Sequence, residues 1–485
     1  MITLPPTRTS AEDVLATMRA ARARDVRWRE GKAWSLVFYS GDDVLALLKE
    51  AYTMFFSENG LNPMAFPSLK QFEAEVVAMT ASLLGGDEGT AGNMTSGGTE
   101  SLLLAVKTAR EWARGTRPTI AEPEIVMPAT AHPAFDKAAH YFGVKAIHVP
   151  VDAGFRADVP AMAAAITPNT IMIVGSAPSY PQGVLDPIPE LAQLARDHGI
   201  LFHVDACVGG MMLPFVRKLG YPLGDFDLRV PGVTSISVDL HKYGYAAKGA
   251  SVILYKTRDL RRHQFFVSTD WPGGIYASPT MMGTRPGGVI AAAWAVMNYL
   301  GEEGYLSIAD VVMKTATKLR QGIEAIGGIK VLGEPAMSVM ALGSDGLNIY
   351  EIGDEMTARG WYLDRQQYPA SLHLTVNYAH AASADQFLAD LRESAARARR
   401  FSISKIGNAF QLGLVRAATR VLPEKIVSSA ARRVPALLGG SGGLPQRSAA
   451  MYGMMASLPN RGDVNEIVLD LLDGLTRVEG RSGRA

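Results

Sequence analysis

The chain has 485 residues, 48% hydrophobic and 20% charged, with 48 basic against 47 acidic side chains and a net charge of +1. That length and composition suit a globular protein with a large core and two or more domains, and the near-neutral balance excludes a global field that would gather nucleic acid or an acidic partner. The single cysteine, Cys207, excludes an intrachain disulfide and any multi-cysteine metal site, and fits a reducing cytoplasm.

The opening MITLPPTRTSAED lacks the apolar core of a signal peptide, and the longest apolar stretches, such as Val289 to Met297, are too short to span a bilayer. A soluble cytoplasmic protein is expected. Ser10, followed by Glu12 and Asp13, reads as a helix start. Residues up to about 45 form an arm, in which the run Trp34–Tyr39 is apolar enough to pack on another part of the chain. Asn62-Pro63 and Phe66-Pro67 mark a turn. Ser68 to Gln71 reads as a capping box opening a helix with Leu69, Phe72, Val76, Leu83 and Leu84 on one face, ended by Gly85-Gly86.

The stretch Asn93-Met-Thr-Ser-Gly97-Gly98-Thr99-Glu100 then leads into the apolar helix SLLLAVKTAREWA. Small residues at a helix N-terminus leave backbone N–H groups free and let an anion approach, which makes a phosphate cradle; a tight turn is the plainer reading of Gly-Gly. Beyond it strands alternate with helices. The strands are expected at 124–127, 145–149, 170–175, 200–204, 234–238 and 250–255, and helices at 131–142, 159–166 and 188–198. Such alternation predicts an α/β fold with a mostly parallel sheet covered on both faces.

A helix from Val289 to Leu300 leads out of this domain, and shorter units such as LNIYEI and SLHLTV suggest a smaller C-terminal α+β domain. The expected division is an arm over 1–85, a large domain over 86–300 and a small one over 301–485. Residues 401–447 carry seven Lys/Arg and one acid, Glu424, with GGSGG near the end. They read as a surface helical insertion, or as a basic amphipathic helix on an anionic membrane.

Three side chains stand where an α/β sheet holds ligands, at the carboxyl ends of strands. Lys242 follows the alternating run TSISV, Asp205 ends HVDA, 37 residues earlier (242 − 205), and His132 opens a helix. Singly, these are a surface lysine, a loop acid and a helix cap. In order with the cradle they form a set: a phosphate site at 97–99, a flat ring for stacking at His132, a carboxylate at Asp205 to hold a proton on a pyridine nitrogen, and a Schiff-base lysine at Lys242. The set describes a pyridoxal phosphate enzyme of the aspartate-aminotransferase fold type, fold type I.

NMTSGGTESLLLAVKTAR, AHPAFDKAAHYFGVK, PQGVLDPIPELA, HVDACVGG, GVTSISVDLHKYGYAAKGASVILY, FFVSTDWPGGIYASPTMMGTRPGG and AAMYGMM resemble the sphingosine-1-phosphate lyases of the group II decarboxylase-like family, over about residues 30–395 and 449–475. The resemblance implies a seven-stranded, mostly parallel sheet and pyridoxal 5'-phosphate as cofactor. By it, Lys242 bonds the cofactor, Asp205 pairs with its ring nitrogen and His132 stacks on the ring. Gly97, Gly98 and Thr99 hold its phosphate with His241, and His203 belongs to the same binding set. Tyr39, Tyr180 and Lys248 match positions that line the substrate site. The family also implies a homodimer with shared active sites, in which Gly287 of the RPGG loop reaches the partner's cofactor phosphate. The implied reaction cleaves a phosphorylated long-chain base such as sphingosine 1-phosphate: the C3 hydroxyl loses its proton, the C2–C3 bond breaks, and a long-chain aldehyde and phosphoethanolamine leave. One stretch departs from the pattern. Asn62–Pro67 is shorter than the matching stretch of such lyases and lacks the histidine that helps to hold the substrate phosphate. An amino-acid decarboxylase on the same scaffold is therefore the second reading. A non-catalytic lipid-surface protein is the third, and the intact Lys242, Asp205 and His132 speak against it.

Overall fold

Apolar runs without polar alternation belong to strands covered on both faces. A computed structural model, which describes residues 3–399 and a few positions between 465 and 473, builds them into one sheet. Its strands are β1 (Ala91–Thr95), β2 (Glu124–Pro128), β3 (Lys145–Val149), β4 (Thr170–Ser176), β5 (Leu201–Asp205), β6 (Ser235–Val238) and β7 (Ser251–Tyr255). They lie in the order β1-β7-β6-β5-β4-β2-β3. β7 runs antiparallel to both neighbours, and the remaining pairs are parallel. Every residue of β4, β5 and β6 is buried, so the strands that end at the site are also the most deeply covered.

β1 is the strand that the sequence reading passed over. AGNMT contains Gly92 and Asn93 and no β-branched residue before Thr95, so it reads as a turn. Its pairing with β7 explains the glycine, since a Cβ at Gly92 would lie 2.4 Å from the Ile253 carbonyl oxygen. The helix after the first turn also starts differently. It spans Pro67–Leu83 with proline in its first turn and no side-chain cap, so Ser68 is inside the helix and forms no capping box. It ends as expected at Gly85, whose φ of +69° few other residues adopt, with Gly86 N–H donating to the Ala81 carbonyl. Leu69, Val76 and Leu84 of the predicted face are buried.

A hairpin of β8 (Phe266–Ser268) and β9 (Tyr276–Ser278) precedes a long helical segment, Gly287–Glu324, which breaks at Gly301. Its residues through Met313 pack in the large core, and Ala316, Leu319 and Ile323 near its end pack with a four-stranded antiparallel sheet. That sheet consists of β10 (Ile329–Leu332), β11 (Val339–Ser344), β12 (Asp364–Gln366) and β13 (Ser371–Thr375) in the order β10-β11-β13-β12. SLHLTV forms β13, whereas LNIYEI opens a helix, because Asn348 caps it by accepting from Tyr350 N–H. The arm packs here. Trp34 is fully buried, stacked on His380 at 4.2 Å and against Phe387 at 4.1 Å. The basic stretch 401–447 and the AAMYGMM run lie outside the described residues.

Candidate active site

β6 leaves the sheet at Asp239, and the next ten residues form a loop pinned from several sides. His241 N–H donates to Ala250 O, and Ala246 N–H to Leu240 O. Gly244 is required because a Cβ there would lie 2.5 Å from Leu240 O. Tyr243 Oη contacts Ser338 Oγ at 2.7 Å and donates to Val376 O at 2.8 Å, tying the loop to the small domain, and Tyr305 Oη donates to Gly244 O. Lys242 is thus presented from a rigid turn.

Around it lies a cavity of about 330 Å³ lined by residues 96–100 and 102, His132, Pro178, Tyr180, Asp205, Cys207, Val208, Asp239, His241 and Lys242. Its size falls at the low end of the range for small-molecule sites. Lys242 Nζ is 2.8 Å from Asp239 Oδ2, and His241 Nε2 is 3.7 Å from the same oxygen. Burial draws the Lys242 pKa down, but the Asp239 carboxylate outweighs it and the net shift is upward. Burial lowers the pKa of His241, against the opposing pull of Asp239.

At the end of β5, Asp205 Oδ1 accepts from Cys207 N–H at 3.0 Å and from Ser237 Oγ at 3.4 Å, leaving Oδ2 for a donor in the cavity. His132 Nδ1 accepts from Ala134 N–H at 3.1 Å, although the N-cap position itself is Pro133. That bond holds the ring in place and, in the neutral form, directs Nε2–H outward. The helix starts at Ala134, three residues after its expected start, with Pro133 as its N-cap.

The cradle lies between β1 and the helix Gly98–Thr116. Buried Glu100 braces it, accepting from Ser96 N–H at 2.5 Å and from Met281 N–H at 2.7 Å. The first N–H groups of the helix have no intrahelical acceptor. Gly97 has a φ of +155°, and a Cβ on Gly98 would lie 2.9 Å from both Asp239 oxygens and from Cys207 Sγ. Side chains are excluded there, and Thr99 adds a hydroxyl at the rim.

The structure separates the remaining candidates. Tyr180 lines the cavity, stacks on His373 at 4.1 Å and donates from Oη to Asp364 Oδ2 at 3.2 Å. Burial first, and Asp364 next, raise its pKa, so it stays a neutral phenol. Lys248 does not line the cavity. Its Nζ donates to His241 O at 3.1 Å and lies 5.1 Å from the Phe38 ring. Its stem reaches solvent, yet crowding of the ammonium, and then the Lys242 charge, lower its pKa to about 8. Tyr39 sits one residue beyond Phe38, edge-on to Trp28, and does not line the cavity either. His203 is not in the cavity: it lies within the sheet, Nδ1 2.8 Å from Ser235 Oγ and Nε2 3.2 Å from Ser237 Oγ. Burial lowers its pKa to about 4. The expectation of direct contact with a cofactor is corrected to support of Ser237, which in turn contacts Asp205. Gly287 is likewise away from its own chain's cavity, its N–H donating to Glu58 O.

Sequence reasoning missed Asp239, Cys207 and Asp364. Asp239 had a signal, an acid three residues before the lysine at a strand end. Asp364 had none, since it comes from a strand of the other domain.

The pyridoxal-dependent decarboxylase conserved domain matches residues 5–342 of the chain. A sphingosine-1-phosphate lyase of Oryza sativa is 43% identical over 476 residues, covering 96% of this chain and 81% of that protein. Sphingosine-1-phosphate lyase 1 of Rattus norvegicus is 49% identical over 396 residues, covering 81% of this chain and 69% of that protein. Among solved structures, a sphingosine-1-phosphate lyase of Burkholderia pseudomallei superposes with a TM-score of 0.80 at 38% identity, covering 87% of this chain and 98% of that one. A glutamate decarboxylase of Lactobacillus brevis superposes at 0.72 over 83% of this chain and 96% of that one, but at 18% identity shares the fold alone.

Proposed function

We infer the function from one premise: the chain belongs to the pyridoxal-dependent decarboxylase family, in its sphingosine-1-phosphate lyase branch. It is a pyridoxal-phosphate-dependent carbon–carbon lyase that cleaves sphingosine 1-phosphate or a similar phosphorylated long-chain base into a long-chain aldehyde and phosphoethanolamine. The observation that carries the reading is the convergence of Lys242, Asp205, His132 and the Gly97–Thr99 cradle on one cavity.

The residues fit the cofactor. Gly98 leaves room that a Cβ would fill, and two buried polar atoms, Asp239 Oδ1 and His241 Nδ1, have no partner among the described residues. Residues 97–99 and His241 would hold the phosphate, His132 the ring face, Asp205 the ring nitrogen and Lys242 the aldehyde carbon. When bound, pyridoxal phosphate supplies a carbonyl for an amine and a protonated ring that accepts the electron pair of the broken bond. The protein supplies position and protons. Asp205, held by Cys207 N–H and Ser237, keeps a proton on any nitrogen facing Oδ2. Tyr180 directs its own proton at Asp364 and therefore turns a lone pair to the cavity, where it can accept from the substrate's C3 hydroxyl. Lys248, near the cavity mouth, is the cation we assign to the substrate phosphate in place of the histidine missing from 62–67.

The reading extends to a homodimer in the cytoplasm. Phe56, Met64, Phe266, Trp271 and Ile275 are each more than half exposed around the 54–64 and 266–275 segments, an apolar face of the kind that pairs with another copy. Gly287, beside this face, would then serve the partner's cofactor phosphate. No helix among the described residues is long and apolar enough to cross a membrane. The basic 401–447 stretch is proposed as a lipid-surface contact; equal binding of anionic liposomes after its deletion would refute that. The function itself is tested by mass spectrometry of products from cofactor-loaded protein given sphingosine 1-phosphate and, separately, a panel of amino acids. Aldehyde and phosphoethanolamine support it. Carbon dioxide and an amine, with the long-chain base untouched, would mean that the chain is a decarboxylase.

A further inference from the structure

Beside Lys242 stands a carboxylate to which neither the family nor the sequence motifs give a role. Asp239 is 2% exposed. Its Oδ2 takes Lys242 Nζ at 2.8 Å, with His241 Nε2 farther off at 3.7 Å, while Oδ1 has no hydrogen-bond partner among the described residues. Both oxygens also form a wall of the cradle, since each would be 2.9 Å from a Cβ at Gly98. Two requirements collide here. A lysine that attacks a carbonyl must be a neutral amine, yet a buried carboxylate at contact distance holds it as ammonium. A phosphate in the cradle would lie close to the same carboxylate, and like charges at such a distance repel.

A single proton transfer removes both conflicts. We propose that Asp239 is the proton partner of Lys242, holding Nζ as an ammonium before loading and taking its proton at Oδ2 when the amine attacks the cofactor aldehyde. The steps balance. One proton passes from Nζ to Oδ2, and the freed lone pair forms the bond to the aldehyde carbon. The two remaining N–H protons leave with the aldehyde oxygen as water. Asp239 is then a neutral acid beside the phosphate, and it returns the proton when Lys242 is released.

The other charged or titratable groups around Nζ are His241 on the same loop, Cys207 and Asp205 at the end of β5, Lys248 farther along the loop, and His373 on β13. None of the other acids is given an ion pair with Nζ among the described residues. Burial raises the Cys207 thiol well above its ordinary range, so it is no base at neutral pH. His241 is the one group placed to share the proton, through the same Oδ2.

The inference rests on the reading that Lys242 carries the cofactor, and the test separates the two. Cofactor-free protein is mixed with pyridoxal phosphate from about pH 6 to 9, and the visible absorbance of the bound form is followed by stopped flow. Because the proton passes within the Lys242–Asp239 pair and is not lost to solvent, the wild-type rate should vary by less than about threefold across this range. With no carboxylate to take the proton, Asp239→Asn must lose it to solvent, so its rate should rise about tenfold per pH unit below the pKa of its lysine. Profiles that coincide within about twofold would overturn the proposal. Limited acetylation of the cofactor-free protein, read at Lys242 by peptide mass spectrometry, needs no cofactor and no variant. Lys242 should react at least ~10-fold more slowly near pH 8 than the exposed lysines; labelling at their rate would also overturn the proposal. If no visible band forms in the wild type, or Lys242→Ala forms the same band, the cofactor reading fails, and the acetylation result still decides the role of Asp239.

Discussion

Two lysines six positions apart on one loop show how differently the floor and the mouth of this site are built. Lys242 stands on the floor, beside a fully buried carboxylate, on a turn hydrogen-bonded to both domains. Lys248, which we place at the mouth, has a backbone carbonyl and an aromatic face for company, and no acid within ion-pair distance among the described residues. Burial weighs against the charge of both. On the floor a compensating charge reverses the effect, and at the mouth nothing does, so one pKa rises and the other falls to about 8. The floor carries chemistry that must not vary and is built from strand ends. The mouth, to which we assign substrate recognition, is built from loops and the arm.

The largest expected effect comes from breaking the floor. Lys242→Ala should abolish the visible cofactor band and lower turnover by at least about 10³-fold, measured by product release under saturating cofactor. Next is the seam between the domains. Tyr180→Phe keeps the stack on His373 and loses the hydroxyl, so kcat should fall by about 10²-fold with the cofactor band unchanged.

Altering the mouth should change binding and leave the floor intact. Lys248 carries its charge below about pH 8 and loses it above, so KM for a phosphorylated substrate should rise as pH passes that value. Lys248→Met should raise KM about tenfold at pH 7 and flatten the profile, whereas Lys248→Arg should keep KM low through about pH 9. The same kcat in all three would separate the mouth from the floor.

The last effect concerns what lies beneath both. His203, His373 and His380 are buried, with pKa values lowered to about 4, below the ordinary value of 6.5. The unfolded chain therefore binds protons that the folded chain refuses. Stability should fall as pH drops from about 6.5 toward 4, by up to about 1.4 kcal/mol per pH unit for each histidine, as read from urea midpoints.

The floor was legible in the sequence for a physical reason. Strand ends keep Asp205 and Lys242 in register with apolar runs whose periodicity is plain, and the cradle glycines precede a helix. Burial also decided the misreadings. His203 shares a face of β5 with Asp205 but lies two residues farther from the strand end, so it meets Ser235 and Ser237 beneath the site instead of the cavity. β1 was hidden because Gly92 is chosen by a close approach to β7 rather than by strand propensity. The mouth was legible only as a resemblance, since Tyr39 and Lys248 come from an arm and a loop that no local pattern joins, and Asp364, from the second domain, was not legible at all.

The most direct measurement is the product mass balance in heavy water. Loaded protein is given sphingosine 1-phosphate in D₂O, and both products are isolated. Cleavage at C2–C3 with protonation at C2 should give phosphoethanolamine with one carbon-bound deuterium, and an equal amount of long-chain aldehyde with none at the carbonyl carbon. Unlabelled phosphoethanolamine, or an intact long-chain base under conditions where the cofactor band is present, would contradict the lyase account.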